Sequence, residues 1–116
     1  MRTLLALVAL AATGSAWATV RPPARAQVSA KEYSLGLSRI SLKAGPAIVE
    51  LVNFGEDPHD LRLQRIGGAH IAGTPVVSPG DRYDLRVKLL PGRYRLWCAI
   101  ADHRALGMRA TLVVRP

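Results

Sequence analysis

The sequence predicts an all-β sandwich, and three observations carry that expectation. Its apolar residues come in short runs rather than in long blocks of helical period. Ten glycines and eight prolines punctuate those runs. Several runs alternate strictly between apolar and polar, the period of a half-buried strand. With 116 residues, 49 % of them hydrophobic, the chain is long enough for one domain with a real core and too short for two.

The first residues read as a targeting segment. Met1-Arg2 is a short positive start, Leu4 to Ala12 ("LLALVALAA") is apolar throughout, and "AWA" at Ala16 to Ala18 is a small-x-small cleavage site. That is the pattern of a secretory signal peptide. The apolar run is shorter than the roughly 20 residues a bilayer crossing needs. A second small-x-small site, "ARA", follows at Ala24 to Ala26. The expected organisation is a signal peptide over 1–18, a flexible Pro- and Ala-rich lead-in over 19–30, and one domain over 31–116.

Within the domain, Tyr33, Leu35 and Leu37 alternate, and Ile40 and Leu42 continue one residue out of phase. That slip predicts a bend between two edge strands. "KAGP" (Lys43 to Pro46) is a turn. "AIVELVNFG" (Ala47 to Gly55) is apolar on both faces, as an inner strand would be. After "EDP" breaks the run, His59, Leu61 and Leu63 share one face. Residues 65–80 form a Gly- and Pro-rich loop with a short strand at Val76-Val77. "DRYDLRVKL" (Asp81 to Leu89) points Tyr83, Leu85, Val87 and Leu89 inward. After the Pro91-Gly92 turn, Tyr94, Leu96 and Cys98 share the buried face while Arg93, Arg95 and Trp97 share the other. Met108, Ala110, Leu112 and Val114 face inward on the last strand.

Charge narrows the function classes. The chain carries a formal +8; removing 1–18 takes Arg2 and no acid, leaving +7. An exported chain with no Lys/Arg run and no ladder of aromatics is a poor nucleic-acid binder. The basic balance reads as a solvated face that also steers an acidic partner.

Cys98 is the only cysteine, so it has no disulfide partner within the chain. A lone thiol in an oxidising compartment is a liability unless something occupies it. The plain alternative is a small buried apolar residue. Its company argues against that: His103 follows after four residues and Met108 after four more, with His59 opening an earlier strand in phase with buried leucines. A thiolate, two imidazoles and a weak thioether are the His₂Cys set with a long axial Met that suits copper. Zinc would favour a tetrahedral set without the thioether, and calcium would want oxygens. Met108 taken alone also fits a core filler, and His70, in a Gly-rich loop, reads as surface.

Two segments carry a family resemblance. "NFGEDPHDL" (Asn53 to Leu61) is similar to the asparagine–glycine segment that leads into the first copper histidine of the cupredoxins. "PGRYRLWCAIADHRALGM" (Pro91 to Met108) is similar to their approach to the copper cysteine and to their ligand loop. "VVSPGDRYDLRV" (Val76 to Val87) resembles the strand before it. The chain thus resembles, over residues 31–116, the small blue copper proteins of the plastocyanin, azurin and pseudoazurin kind.

The resemblance implies a Greek-key β-sandwich of about seven to eight strands holding one copper ion in a type 1 site, with His59, Cys98, His103 and Met108 as ligands. It implies a backbone N–H from Asp60 to the cysteine sulfur. Family members often have an asparagine there, tied to a serine or threonine after the cysteine; Asp60 and Ala99 depart from that pattern. Tyr94 would anchor its strand through the hydroxyl. The electron port would be the His103 edge, within an apolar patch of Ile100, Ala101, Ala105 and Leu106 rimmed by Arg104. Trp97 would face away.

The implied function is that of an exported electron carrier, periplasmic or secreted and not an enzyme. Its partners would be redox proteins with acidic docking surfaces, with no nucleic acid and no membrane span in the mature chain. Two other readings use the same residues differently. One is a copper-binding module for delivery or buffering, against which the absence of Met-rich or His-rich tracts weighs. The other is a metal-free sandwich that only binds proteins. A binuclear copper domain would need a second cysteine in this loop.

Overall fold

The computed structural model of the protein describes residues 3–12, 14 and 21–116. The rest of the expected signal peptide, its Ala16–Ala18 cleavage site included, lies outside the described residues. Residues 3–12 have no regular structure, and Leu4, Leu5 and Leu7 are 96 %, 91 % and 95 % exposed.

Ordered structure begins earlier than expected. Ala24–Lys31 is a strand, β1, and not part of a flexible lead-in. Its inward residues Ala26, Val28 and Ala30 are buried in the core. They are small, so the apolar signal in "ARAQVSAK" is weak. What holds the strand is pairing on both sides. It runs antiparallel to β2 (Ser34–Leu37) and parallel to β4 (Gly45–Asn53), from Ala24↔Ala47 to Ala30↔Asn53.

Between β2 and β4 lies β3 (Ser41–Lys43). The phase slip at residues 37–40 is where the chain leaves one sheet for the other, and β2 and β3 are edge strands of different sheets. Then follow β5 (Arg62–Arg65), β6 (Ile71–Gly73), β7 (Arg82–Leu89), β8 (Gly92–Trp97), a single helical turn α1 (His103–Leu106) and β9 (Arg109–Arg115). One sheet has the order β2-β1-β4-β7 and the other β3-β9-β8-β5-β6. This all-β sandwich has nine strands among the described residues, β6 being one that the Gly-rich composition of 65–80 concealed.

The inner strand expected at 47–55 is β4, flanked by β1 and β7. Ala47, Val49 and Leu51 enter the core. Ile48 and Val52 point the other way, yet each is only 2 % exposed. In register, Ile48 lies between Arg25 and Arg86, and Val52 lies between Ser29 and Arg82. The aliphatic stems of such arginines cover apolar surface while their heads stay in water.

On β7, Leu85 and Leu89 are buried as expected, but Tyr83 is 41 % exposed. Tyr94 on β8 is buried, and its hydroxyl accepts the Leu90 N–H at 3.0 Å, the anchoring role expected of it. The core between the sheets is closed by Leu61, Leu63, Leu96, Leu112 and Val114. One pole of the sandwich gathers the end of β4, the start of β5, the end of β8 and the start of β9.

Candidate metal centre

Each expected ligand reaches that pole by a different piece of backbone. Cys98 follows β8 directly, and its N–H donates to the Met108 carbonyl at 3.1 Å, one more rung of the β8–β9 ladder. Met108 in turn donates its N–H to the His103 carbonyl at 3.0 Å. The loop between is closed by α1, whose Gly107 has φ 131°, a conformation that favours glycine. A Cβ there would also lie 2.7 Å from the Tyr33 carbonyl oxygen. His59 is fixed by a two-way bridge with Val77: its N–H donates at 3.1 Å and its carbonyl accepts at 2.7 Å. Val76-Val77, expected as a short strand, is this isolated bridge.

The side chains converge. The nearest nitrogen of each imidazole is Nδ1, at 4.0 Å from Cys98 Sγ for His59 and 3.7 Å for His103. One donor atom from each of the three residues falls within 4.8 Å of the others. His59, Cys98 and Met108 are fully buried and His103 is 7 % exposed. Donors held about 2.0–2.3 Å from one ion at trigonal or tetrahedral angles lie about 3.5–3.8 Å from each other. The two sulfur–nitrogen spacings are within a few tenths of an ångström of that, and the two imidazole donors lie within 4.8 Å of each other. The donor set therefore suits a soft or borderline ion, which would draw the two imidazoles in around the sulfur. Met108 shares the buried pole and is tied by its backbone to both Cys98 and His103. His70 is exposed and takes no part.

A residue that the sequence does not single out completes the site. Glu32, on the turn between β1 and β2, accepts a hydrogen bond from His59 Nε2 at 2.9 Å. The same carboxylate accepts the backbone N–H groups of Glu56 and Asp57, the latter at 2.7 Å. These bonds hold the Glu32 carboxyl down at about 2, the Asp57 N–H being the largest cause. An ionised carboxylate only accepts, so His59 Nε2 is the donor to Glu32, and Nδ1, on the sulfur side, is the atom left to hold a metal ion. A carboxylate behind a metal-binding histidine fixes ring and tautomer in this way. Gly55 makes the packing possible: a Cβ there would collide with the Glu32 carboxylate. Nothing local in "AKEYS" marks this role, because the partner is 27 residues further on.

Asn53, fully buried, secures the same loop. Its amide donates to the carbonyls of Asp57 at 2.8 Å and Val77 at 2.9 Å, and its oxygen accepts the Gly55 N–H at 2.8 Å. Asp60 and Ala99, which depart from the pattern of the resembled family, are tied here by another route. The Asp60 carboxylate accepts the Ala99 N–H directly at 2.7 Å. Burial pushes the Cys98 thiol up, and the backbone N–H groups of Asp60 and Ile100 act against it. A buried thiol of this kind stays protonated until a cation replaces the proton.

The surface near His103 is partly apolar. Leu106 is 51 % exposed and Tyr33 41 %, and the Tyr33 ring lies 5.2 Å from the His103 ring. Ala101 and Ala105 are exposed and Ile100 is half-buried. Trp97 faces the other way, as its alternation predicts. Arg104 is exposed, and its guanidinium lies 4.7 Å from the centre of the Trp97 ring.

A two-sheet sandwich with two imidazoles and a thiol at one pole defines a class, the cupredoxin fold, and comparison with solved structures agrees. The chain is similar to an auracyanin from Roseiflexus castenholzii, at TM-score 0.65 and 17 % identity over 79 % of this chain and 97 % of that one. It is similar to auracyanin A, a blue copper protein from Chloroflexus aurantiacus, at TM-score 0.65 and 16 % identity over 81 % and 100 %. It also resembles a blue copper oxidase from Nitrosomonas europaea, at TM-score 0.60 and 17 % identity, over 79 % of this chain but only 38 % of the oxidase. No protein-family model matches the sequence, and no curated protein matches it.

Proposed function

We propose that the protein is an exported carrier of single electrons, with one type 1 copper ion held by His59, Cys98 and His103 and, axially, by Met108. The observation that supports this most strongly is the buried cluster of two imidazoles and one thiol. Copper bound there supplies a Cu(II)/Cu(I) couple, for which thiolate, imidazole and thioether are suited donors.

The chain's own residues do the rest. Glu32 and the Val77 bridge set the His59 ring before any metal arrives, so little reorganisation accompanies a change of charge. Burial of Cys98 and Met108 keeps water from the sulfur. His103 stands nearest to solvent, beside Leu106 and Tyr33, and offers the edge at which a partner can approach. A small apolar surface suits weak, fast docking.

We read the chain as a carrier rather than an enzyme, because it resembles auracyanins over nearly their whole length. A periplasmic or secreted location follows from the signal-peptide pattern, and its redox partners would be proteins with acidic surfaces. Among the described residues no helix is long and apolar enough to cross a membrane. We place the cleavage after Ala18. A cut after Ala26 would remove three rungs of the β1–β4 pairing, Ala24↔Ala47 to Ala26↔Val49. The mature chain recovered from the exporting cell should begin at Thr19.

The test is the visible spectrum of the protein after addition of Cu(II). An intense blue or green thiolate-to-copper band, absent in Cys98→Ala, is expected. A colourless protein would remove the proposal. Voltammetry separates the carrier from a delivery module: a reversible one-electron wave supports the first. Rapid loss of Cu(I) to a chelator with no such wave supports the second.

A further inference from the structure

The two sheets of the sandwich differ in charge. The β2-β1-β4-β7 sheet mixes signs, with Glu50 and Asp84 among its basic residues and Arg82 3.5 Å from Glu50. The β3-β9-β8-β5-β6 sheet has no Asp or Glu in any strand. Its outward positions carry Lys43, Arg62, Arg93, Arg95, Arg109 and Arg115. Of these six, among the described residues, only Arg62 has an acidic partner, the buried Asp60 at 3.3 Å.

The pairing sets them in rows. Arg62, Trp97 and Arg109 lie side by side across three strands, and Gln64, Arg95 and Thr111 form the next row. Arg104 completes the patch from α1, its guanidinium seated over the Trp97 ring. Arg95, Arg104 and Arg109 surround a shallow concavity of about 340 Å³. Like charges gathered around one concavity repel one another, and an anionic partner would relieve that repulsion. Trp97 under Arg104 holds one of them in place, so less side-chain freedom is lost on binding. The patch is also next to the metal pole in sequence: Trp97 precedes Cys98, Arg104 follows His103 and Arg109 follows Met108.

We infer that this arginine face, centred on Arg95, Arg104 and Arg109, is a docking surface for the acidic face of a protein partner. This rests on the proposed exchange of electrons with a protein. Guanidinium groups match carboxylates in paired geometry, and a single-sign surface steers an oppositely charged partner and fixes how it lands. A bilayer is the weaker fit. The one aromatic of the patch is 9 % exposed beneath Arg104 rather than standing out to enter headgroups.

The test is a titration of the isotope-labelled, full-length mature protein with a deca-glutamate peptide at low salt, followed by amide shifts. Shifts should concentrate at residues 62–64, 93–97, 104 and 109–111, and binding should weaken steeply with added salt. The triple variant Arg95→Gln/Arg104→Gln/Arg109→Gln should bind at least tenfold more weakly, and the corresponding triple lysine variant should fall between it and the wild type, keeping the charge but losing the paired guanidinium geometry. Far-UV dichroism checks that both variants fold.

Shifts centred on Arg82 and Arg86 of β7, or unchanged affinity in the glutamine variant, would overturn the inference. So would binding to phosphatidylglycerol vesicles through this face with none to the peptide. The titration needs no copper, so a protein that fails to bind copper leaves it valid. Failure of peptide binding likewise leaves the copper reading standing.

Discussion

The two histidines of the metal pole sit in contrasting surroundings. His59 is fully buried, bridged through its backbone to Val77 and held from behind by Glu32, itself fixed by two backbone N–H groups. His103 opens a single helical turn, is 7 % exposed, and has an aromatic ring beside it rather than a carboxylate behind it. One imidazole belongs to the scaffold and the other to a surface loop. The difference teaches how a small sandwich can make a site both stiff and reachable. The scaffold side sets geometry, and the loop side offers contact.

The strongest way to break this contrast is to remove each ring in turn. His59→Gly should lower copper affinity by more than about 100-fold, beyond the usual cost of losing an outer partner. Added imidazole should not restore the visible band, because the gap is sealed. His103→Gly should lose the band too, but millimolar imidazole should restore it through the nearby surface. Equal rescue of both variants, read by titration of the band, would erase the distinction.

Core leucines sharpen the contrast in stability. Leu61, two residues after His59, is fully buried, and Leu61→Ala should cost about 2–5 kcal/mol in denaturant unfolding. Leu106, three residues after His103, is 51 % exposed, and Leu106→Ala should change stability by no more than about 0.5 kcal/mol. A comparable loss in both would mean that the loop is as much a part of the core as the segment leading into β5.

A smaller effect is expected behind the scaffold histidine. Glu32→Gln keeps the shape but weakens the acceptor for His59 Nε2, and should cost about 10–100-fold in copper affinity by competition with a chelator. Tyr33→Phe, the neighbouring substitution on the loop side, should leave affinity within about twofold, since its ring contact with His103 is retained. The reverse order would place the anchor on the wrong histidine.

Much of this was legible in the residues. The strands β7, β8 and β9 announce themselves by alternation because bulky side chains alternate with charges, and β4 by a run that is apolar on both faces. The convergence of His59, Cys98 and His103 is legible because sulfur and imidazole stand at loop spacing after a strand that points Cys98 inward. β1 was concealed because its inward residues, Ala26, Val28 and Ala30, are small and its neighbours are prolines, so pairing rather than hydrophobicity makes it a strand. Tyr83 misled because alternation places a side chain on a face without telling where the core ends along the strand. Glu32 was invisible for a different reason. An acid on a turn reads as solvated, and its contact with His59 exists only once β1 and β4 are paired.

The measurement closest to the central claim is X-ray absorption at the copper edge of the Cu(II)-loaded mature protein. The account predicts one sulfur and two imidazole nitrogens in the inner shell, with the sulfur lost in Cys98→Ala and one nitrogen lost in His59→Gly. An inner shell of nitrogen and oxygen alone, unchanged by either substitution, would contradict it.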